Sequence, residues 1–270
     1  MQNFSYHTHN NFGGIFDGRN SCEEMVSQAE KIGFKEIGVS NHFVLHPNAP
    51  ASSPMFFQRE DILLDIFKRC YEEIDEVASR HKIKIHKGIE VDFFPSSGWR
   101  NKFEKIIKEL SPDYIIGTTH FIRNKDESKM YNIYHLNELP SNLGDEEFLE
   151  LLEQYWQTLM GAAESGYFDF MAHLDYCTQF NLCIDQKWVD IKHKLIDVIA
   201  ANNIAVEINT GGTARIGRPF PEKWMIEELI KKDVPLLISD DSHEISHLGR
   251  HFQETECLLK ELKCKKRFSL

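Results

Sequence analysis

The sequence predicts an α/β protein whose parallel strands close into a barrel of the TIM type, with seven strand–helix units in place of eight. Three observations carry this expectation. Short apolar, β-branched-rich runs alternate with longer amphipathic stretches along the whole chain, as βα units require. No linker interrupts the alternation across 270 residues, so a single domain spanning 1–270 with one large core is expected. Histidines and acids recur where the expected strands end, and an α/β barrel builds its active site at those C-terminal ends. An open doubly wound sheet is the alternative. No Gly-x-Gly-x-x-Gly follows a strand and no Walker lysine motif is present, so a nucleotide fold has no support.

The expected strands are Phe4–His9, Glu36–Asn41, Lys84–Val91, Asp113–Thr119, Asp169–Leu174, Ile204–Asn209 and Pro235–Asp240. Between them, Ser21-Cys22-Glu23-Glu24 opens a helix carrying Met25, Ala29 and Ile32 and stopped by Gly33. Asp61–Arg80 is long and amphipathic, with Ile62, Phe67, Ile74 and Val77 as its buried stripe. Ser97–Leu110 ends at Ser111-Pro112. Asp145–Ser165 spaces Phe148, Leu152, Tyr155 and Leu159 on one face, and helices over Gln186–Asn202, Pro221–Lys232 and Arg250–Leu262 complete the set. Phe121–Asn142 is polar and without period, and reads as a long loop of the functional kind.

The net charge of −11 argues against a nucleic-acid partner held by a broad basic surface. The one basic run, Lys263–Arg267, reads as a solvated tail. The six cysteines form no Cys-x-x-Cys pair and suit free thiols in a reducing compartment. With no signal-like N-terminus and no apolar run of transmembrane length, the expectation is a cytoplasmic protein without a membrane partner.

Chemistry concentrates at the strand ends. They read His7-Thr8-His9, Ser40-Asn41-His42, Glu90-Val91-Asp92, Thr118-Thr119-His120, His173-Leu174-Asp175, Glu207-Ile208-Asn209 and Asp240-Asp241-Ser242-His243. Residues i and i+2 on a strand share a side, so His7 and His9 present parallel imidazoles. A single strand-end histidine is most often a hydrogen-bonded loop residue. Recurrence at nearly every strand end points instead to metal. Histidine and carboxylate donors without cysteine suit Zn, Mn or Fe, and ions bridged by a carboxylate suit phosphoester hydrolysis. His81, His193 and His251 fall in helical or turn segments and read as surface residues, whereas His86 lies mid-strand and reads as interior.

These pieces resemble the PHP (polymerase and histidinol phosphatase) family, in order along nearly all the chain. Gly166-Tyr167-Phe168-Asp169 and Glu207-Ile208-Asn209-Thr210-Gly211-Gly212, followed by Pro219-Phe220-Pro221, resemble its histidinol-phosphatase branch. The resemblance implies a distorted (βα)7 barrel with two or three divalent metal ions. It implies His7, His9, Glu90 and Asp241 around a first ion, and Glu90 bridging to a second on His120 and His173. A third would rest on His42, His243 and one more histidine. That histidine is missing: the family's Asp-Gly-His stands here as Asp17-Gly18-Arg19. Arginine stays protonated and cannot ligate, which leaves the third site empty, weakly filled, or completed by Asp17, Asn20 or water. Tyr176 to Phe180 also lacks the basic residue expected after His-Leu-Asp.

The activity implied is a phosphomonoesterase in which a metal-bound hydroxide attacks phosphorus, with L-histidinol phosphate as the named substrate. Arg19, Arg215 and Arg218 are the candidate phosphate-binding residues, and Asp17 or His243 the candidate proton relay. Glu207 and Asn209 read as substrate-amine contacts or as an interior pair supporting the ligands, the latter favoured for Glu207. The alternatives are a PHP-type phosphatase for another small phosphomonoester, a non-catalytic metal-binding PHP domain and, more remotely, an amidohydrolase, whose strand-end lysine is missing here.

Overall fold

The computed structural model describes residues 2–47, 56–124, 129–138 and 144–270. The first half runs β1 (Phe4–Ser5), α1 (Cys22–Lys31), β2 (Glu36–Val39), β3 (His42–Leu45), β4 (Phe56–Phe57), α2 (Glu60–Ala78), β5 (Lys84–Asp92), α3 (Ser97–Leu110) and β6 (Tyr114–Thr118). The second runs β7 (Phe121–Arg123), β8 (Met130–Asn132), α4 (Asp145–Glu164), β9 (Phe170–Met171), α5 (Val189–Ala201), β10 (Ala205–Asn209), α6 (Gly211–Ile216), α7 (Lys223–Lys231), β11 (Leu236–Ser239) and α8 (Phe252–Glu261). The strands pair in the order β1-β2-β5-β6-β9-β10-β11, all parallel. A parallel bridge between Thr8 and Ser242, with His9 N–H donating to Ser242 O at 2.8 Å, brings the last strand back to the first. The seven expected strands therefore form a nearly closed barrel. The helices cover its outside, where their apolar faces and the outward faces of the strands make the main core.

Local sequence explains the elements. At α1, Ser21 Oγ accepts from Glu24 N–H while the Glu24 carboxylate accepts from Ser21 N–H, a complete capping box. Gly33, at φ 90°, ends the turn that follows. In α2 the buried stripe is Leu63, Ile66, Phe67, Cys70, Tyr71, Ile74 and Val77. Ile62, expected in that stripe, is 42% exposed, because the inward face falls one residue further along the 3.6-residue period. Ile32 is likewise exposed.

Within the barrel, residues two apart on each strand stack in layers. Tyr6, Tyr114, Ile116, Phe170, Ala172, Ala205 and Leu237 pack together as a separate apolar cluster that stoppers one end. Tyr114 lies so close to β2 and β5 that a Cβ at Gly38 or Gly88 would stand 2.1 Å from its ring or hydroxyl atoms. Its hydroxyl donates to Tyr6 O. Further along the same faces stand Glu90 and Asp92 on β5 and Glu207 and Asn209 on β10.

Several details depart from the sequence expectation. The first strand pairs only over Phe4–Ser5, and a bend at Tyr6 separates it from the bridge at Thr8. The second strand resumes after Ser40-Asn41 as β3 in unchanged register, since Glu36 faces Lys84 and His42 faces Glu90. Phe121–Asn142 contains an antiparallel hairpin of β7 and β8, whose pairing no local periodicity announces; its residues 125–128 and 139–142 lie outside the described residues. The basic C-terminal run is not a free tail: Leu236 N–H donates to Lys266 O, Phe268 N–H donates to Leu236 O, and Arg267 pairs with Glu256. Among the described residues, no helix is long and apolar enough to cross a membrane.

Candidate metal centre

The C-terminal strand ends converge on Glu90. This buried carboxylate lies 2.8 Å from His42 Nδ1, 3.0 Å from His173 Nε2, 3.3 Å from His7 Nε2, 3.6 Å from His9 Nε2 and 3.8 Å from His120 Nε2. Asp241 adds a second carboxylate, 3.3 Å from His9 Nε2 and 3.5 Å from His7 Nε2. Asp17 adds a third, 3.2 Å from His243 Nε2 and 3.5 Å from His42 Nε2. Donor atoms within 4.8 Å of one another define the groups His7–His9–Asp241, His7–Glu90–His173, His42–Glu90–His120 and His9–Asp17–His42–His243. All eight residues expected as ligands fall in these groups, and Asp17 stands where the third site lacks a histidine.

The donor set fits divalent ions on a direct observation. His7 Nδ1 donates to Glu207 Oε2 at 2.6 Å, because a carboxylate can only accept. That leaves Nε2, which has no hydrogen-bond partner, facing oxygens of Glu90 and Asp241. Buried carboxylates facing ring nitrogens need positive charge among them, which ring protons or divalent ions between the donors supply. Both ring nitrogens of His9 are also buried without partners. Its ring is sandwiched between His42, at 4.5 Å, and His243, at 4.2 Å. Burial, together with those two rings, holds the His9 imidazole down to about 3, so it is a neutral donor.

The remaining charges respond to one another. Burial opposes ionisation of Glu90, yet the His7, His42 and His120 rings hold it well below the usual carboxylate range. The same opposition, with His7 and His9 as partners, holds Asp241 low, and His42 and His243 hold Asp17 low. Burial of His7 and His42 is outweighed by their carboxylates, Glu207 and Glu90 for His7 and Glu90 and Asp17 for His42, which raise both rings.

A supporting layer fixes the donors. Glu207 Oε1 accepts from Asn209 Nδ2 at 2.7 Å and from His173 N–H at 3.2 Å, so one carboxylate orients His7 and anchors the turn carrying His173. Asp92 lies 3.1 Å from His120 Nδ1 and accepts from His120 and Phe121 N–H groups. Asp92 went unassigned in the sequence, although its place two residues after Glu90 on one strand was the available signal. Asp241 takes a left-handed backbone, φ 49°, which aspartate tolerates. A Cβ at Gly18 would lie 2.4 Å from the Asn10 carbonyl carbon, so the turn carrying Asp17 needs a glycine there.

The three candidate arginines part company. Arg215, on α6, lines the cavity over the cluster and reaches within 3.9 Å of Asp241. Arg218 is held by Asp175 Oδ2 at 3.0 Å and Thr178 Oγ1 at 2.6 Å, and does not line that cavity. Arg19 is 78% exposed and pairs with Glu244 at 2.6 Å, outside the cavity. The cavity measures about 290 Å³ and is bounded by Asp17, His42, His120, Asp241 and His243 below and by Val44, Phe121, Asn132, Tyr134, Tyr176 and Arg215 around its sides. A larger groove of about 520 Å³ between Arg123 and Gln157 contains none of these donors.

The PHP domain profile matches residues 5–211. The chain belongs to the PHP domain family. A probable histidinol-phosphatase of Thermotoga maritima is 23% identical over 258 residues, covering 95% of this chain and 90% of that protein. The histidinol-phosphatase of Bacillus subtilis is 22% identical over 250 residues, 86% of this chain and 91% of that protein. The match to a probable histidinol-phosphatase of Deinococcus radiodurans, 26% identical, spans 64% of this chain and 63% of that protein. Among solved structures, the histidinol phosphate phosphatase of Lactococcus lactis, in complex with zinc, L-histidinol and phosphate, shares the fold at a TM-score of 0.70 and 17% identity, covering 98% of this chain and 95% of that one. Membership of the PHP family agrees with the barrel and with the donor-rich strand ends.

Proposed function

We propose that this PHP protein is a metal-dependent phosphomonoesterase and that its substrate is L-histidinol phosphate. The observation that carries the enzyme class is the buried Glu90 carboxylate ringed by five imidazoles, a histidine and carboxylate donor set that suits divalent ions. The support for the named substrate is the histidinol-phosphatase name shared by its relatives.

In this reading His7, His9, Glu90 and Asp241 hold one ion, Glu90, His120 and His173 a second, and His42, His243 and Asp17 a third. Bound divalent ions supply Lewis acidity toward a phosphoryl group and lower the pKa of a coordinated water. The chain's own residues do the rest. Glu207 and Asp92 lock the tautomers of His7 and His120, so that each presents Nε2 inward. Arg215 offers its guanidinium to phosphoryl oxygens across the cavity from these donors. Asp17, between His42 and His243 at the cavity edge, stays ionised and completes the donors of the third group. Without cations the carboxylates of Asp17, Glu90 and Asp241 would repel a phosphate dianion, so metal loading and substrate binding are linked.

The test is metal analysis combined with turnover of a phosphomonoester panel that includes L-histidinol phosphate, for the parent protein and for His9→Ala and Glu90→Ala. Two or three ions per chain and phosphatase activity, both lost in Glu90→Ala, are expected. A fully metal-loaded protein inactive on every ester overturns the enzyme class. Activity on other esters with none on L-histidinol phosphate overturns the substrate.

A further inference from the structure

We propose that Cys177 and Cys183 form a peroxide-reactive dithiol, in which Cys183 is the attacking sulfur and Cys177 closes a reversible disulfide with it. The pair lies outside the donor groups and does not line the cavity above them, so the proposal is independent of the phosphomonoesterase reading.

The chain brings the two sulfurs together by turning back on itself. Cys177 lies in the 3-10 turn Tyr176–Phe180 and Cys183 just beyond it. Asn181 N–H donates to Thr178 O at 3.1 Å, Asn181 takes a left-handed backbone at φ 58°, and Leu182 N–H donates back to Cys177 O at 3.3 Å. Cys183 is thereby set beside Cys177, whose thiol hydrogen-bonds to the Cys183 sulfur. Both thiols are free.

Their surroundings give them different parts. Cys177 is wholly enclosed, whereas Cys183 lines a second cavity of about 290 Å³ beside Phe148, Leu152, Lys187 and Trp188. Trp156 Nε1–H donates to Cys183 Sγ at 3.4 Å. Behind that indole lies the buried Lys192, its Nζ 5.6 Å from the Trp156 ring and 2.7 Å from Glu222. The hydrogen bond from Cys177 outweighs burial at Cys183 and, with the Trp156 indole and the Lys192 and Lys187 charges, holds that thiol below its usual range. Burial and the bond to Cys183 push Cys177 well above it. An acidified thiol reached from a cavity, with a protonated thiol against it, is the arrangement of an attacking and a resolving cysteine. Cys22 and Cys70 are buried without such support, and burial pushes Cys22 up to about 12 and raises Cys70 as well.

The chemistry balances with a hydroperoxide as oxidant. The Cys183 thiolate attacks the terminal peroxide oxygen, the O–O bond breaks, and the leaving alkoxide or hydroxide takes up the proton that Cys183 gave up. Cys183 is now a sulfenic acid, two electrons poorer, and the peroxide is reduced by the same two. Cys177 sulfur then attacks Cys183 sulfur, the S–O bond breaks, and the departing hydroxide leaves as water with the Cys177 proton. An external dithiol reverses the bond, as a transient disulfide in a reducing compartment requires.

The test treats the full-length protein with a small excess of hydrogen peroxide, unfolds it, alkylates the remaining thiols and digests with trypsin. Cleavage after Lys129 and Lys187 gives one peptide that holds Cys177, Cys183 and no other cysteine. That peptide is expected to lose two hydrogens and to take no alkylating agent, and prior dithiothreitol is expected to restore both thiols. In Cys177→Ser, which keeps a hydroxyl donor toward Cys183, dimedone is expected to trap a sulfenic acid on Cys183; in Cys183→Ser, Cys177 is expected to stay fully alkylated. Full alkylation of both cysteines in the parent under conditions that oxidise the exposed Cys257 overturns the proposal. So does oxygen gained at Cys183 without the disulfide, or a dimedone adduct on Cys177 in Cys183→Ser. The measurement on the parent decides the matter even where a variant fails to fold.

Discussion

Replacing Glu207 with glutamine changes one atom and leaves the side chain no good arrangement. Oε2 of Glu207 accepts from His7 Nδ1 at 2.6 Å, and Oε1 accepts from Asn209 Nδ2 at 2.7 Å and His173 N–H at 3.2 Å. A carboxylate satisfies all three donors; an amide has one acceptor end. With the amide oxygen toward Asn209 and His173, its NH2 faces His7 Nδ1. That ring must then accept there and carry its proton on Nε2, where it points at Glu90 and Asp241 and blocks ligation. With the amide turned round, His7 keeps its tautomer but two buried donors lose their acceptor, at about 1–3 kcal/mol each. The first arrangement lowers metal affinity about 10- to 100-fold, the usual cost of losing such an outer partner; this is roughly 1.4–2.7 kcal/mol. Calorimetric titration of the metal-free protein with zinc, alongside thermal unfolding of the same samples, distinguishes the two, because the first shifts affinity and the second shifts the melting temperature. A Glu207→Gln variant that matches the parent in zinc affinity and in unfolding temperature refutes the claim that this carboxylate fixes the His7 tautomer.

Other consequences follow from the same geometry. Arg215→Ala is expected to raise KM for a phosphomonoester about 10- to 100-fold, the worth of a charge-assisted contact of about 1.5–3 kcal/mol, whereas Arg19→Ala changes it less than twofold; steady-state kinetics showing the reverse order would return Arg19 to the phosphate site. Gly88→Ala drives a methyl into the Tyr114 ring and is expected to cost about 1–3 kcal/mol in chemical denaturation, while Gly88→Ala combined with Tyr114→Phe recovers little because the ring carbon is itself in the way. His81 is raised by its hydrogen bonds to Glu30 and Glu23. Its folded value therefore lies above its unfolded one, near 6.5, so its contribution to stability is complete below that pH and fades as pH rises through the folded value. Denaturation of the parent and of His81→Gln at several pH values should show their difference largest in mild acid; a difference that grows toward alkaline pH contradicts the assignment.

Much of this centre was legible in the sequence because barrel geometry turns order along the chain into position in space. Once His7, His42, Glu90, His120, His173 and Asp241 are seen at successive strand ends, their meeting follows from parallel pairing alone. What was not legible depended on side chains crossing between elements. The spacing Asp17-Gly18-Arg19 left the completion of the His42–His243 pair open, because a turn after β1 can aim any of several residues inward; the close approach of Gly18 to Asn10 is what aims Asp17. Arg215 and Arg218 looked equivalent three residues apart on one loop. The buried Asp175 captures Arg218, and only a long-range contact could reveal that. The β7–β8 hairpin and the docking of Phe268 beside β11 are likewise pairings between distant segments that carry no local period.

The apolar stopper of Tyr6, Tyr114, Phe170 and Leu237 makes the barrel blind at one end. On the proposed function, the ester would enter and the products leave by the opposite end, where the donors lie. If the proposed function holds, with the phosphoryl group on the donors and the alcohol between it and the opening, the products would leave alcohol first and inorganic phosphate last. Inorganic phosphate should accordingly inhibit in competition with the ester, and the alcohol in a noncompetitive pattern, so that the packing of a few rings far from the reacting atoms sets the kinetic sequence of the cycle.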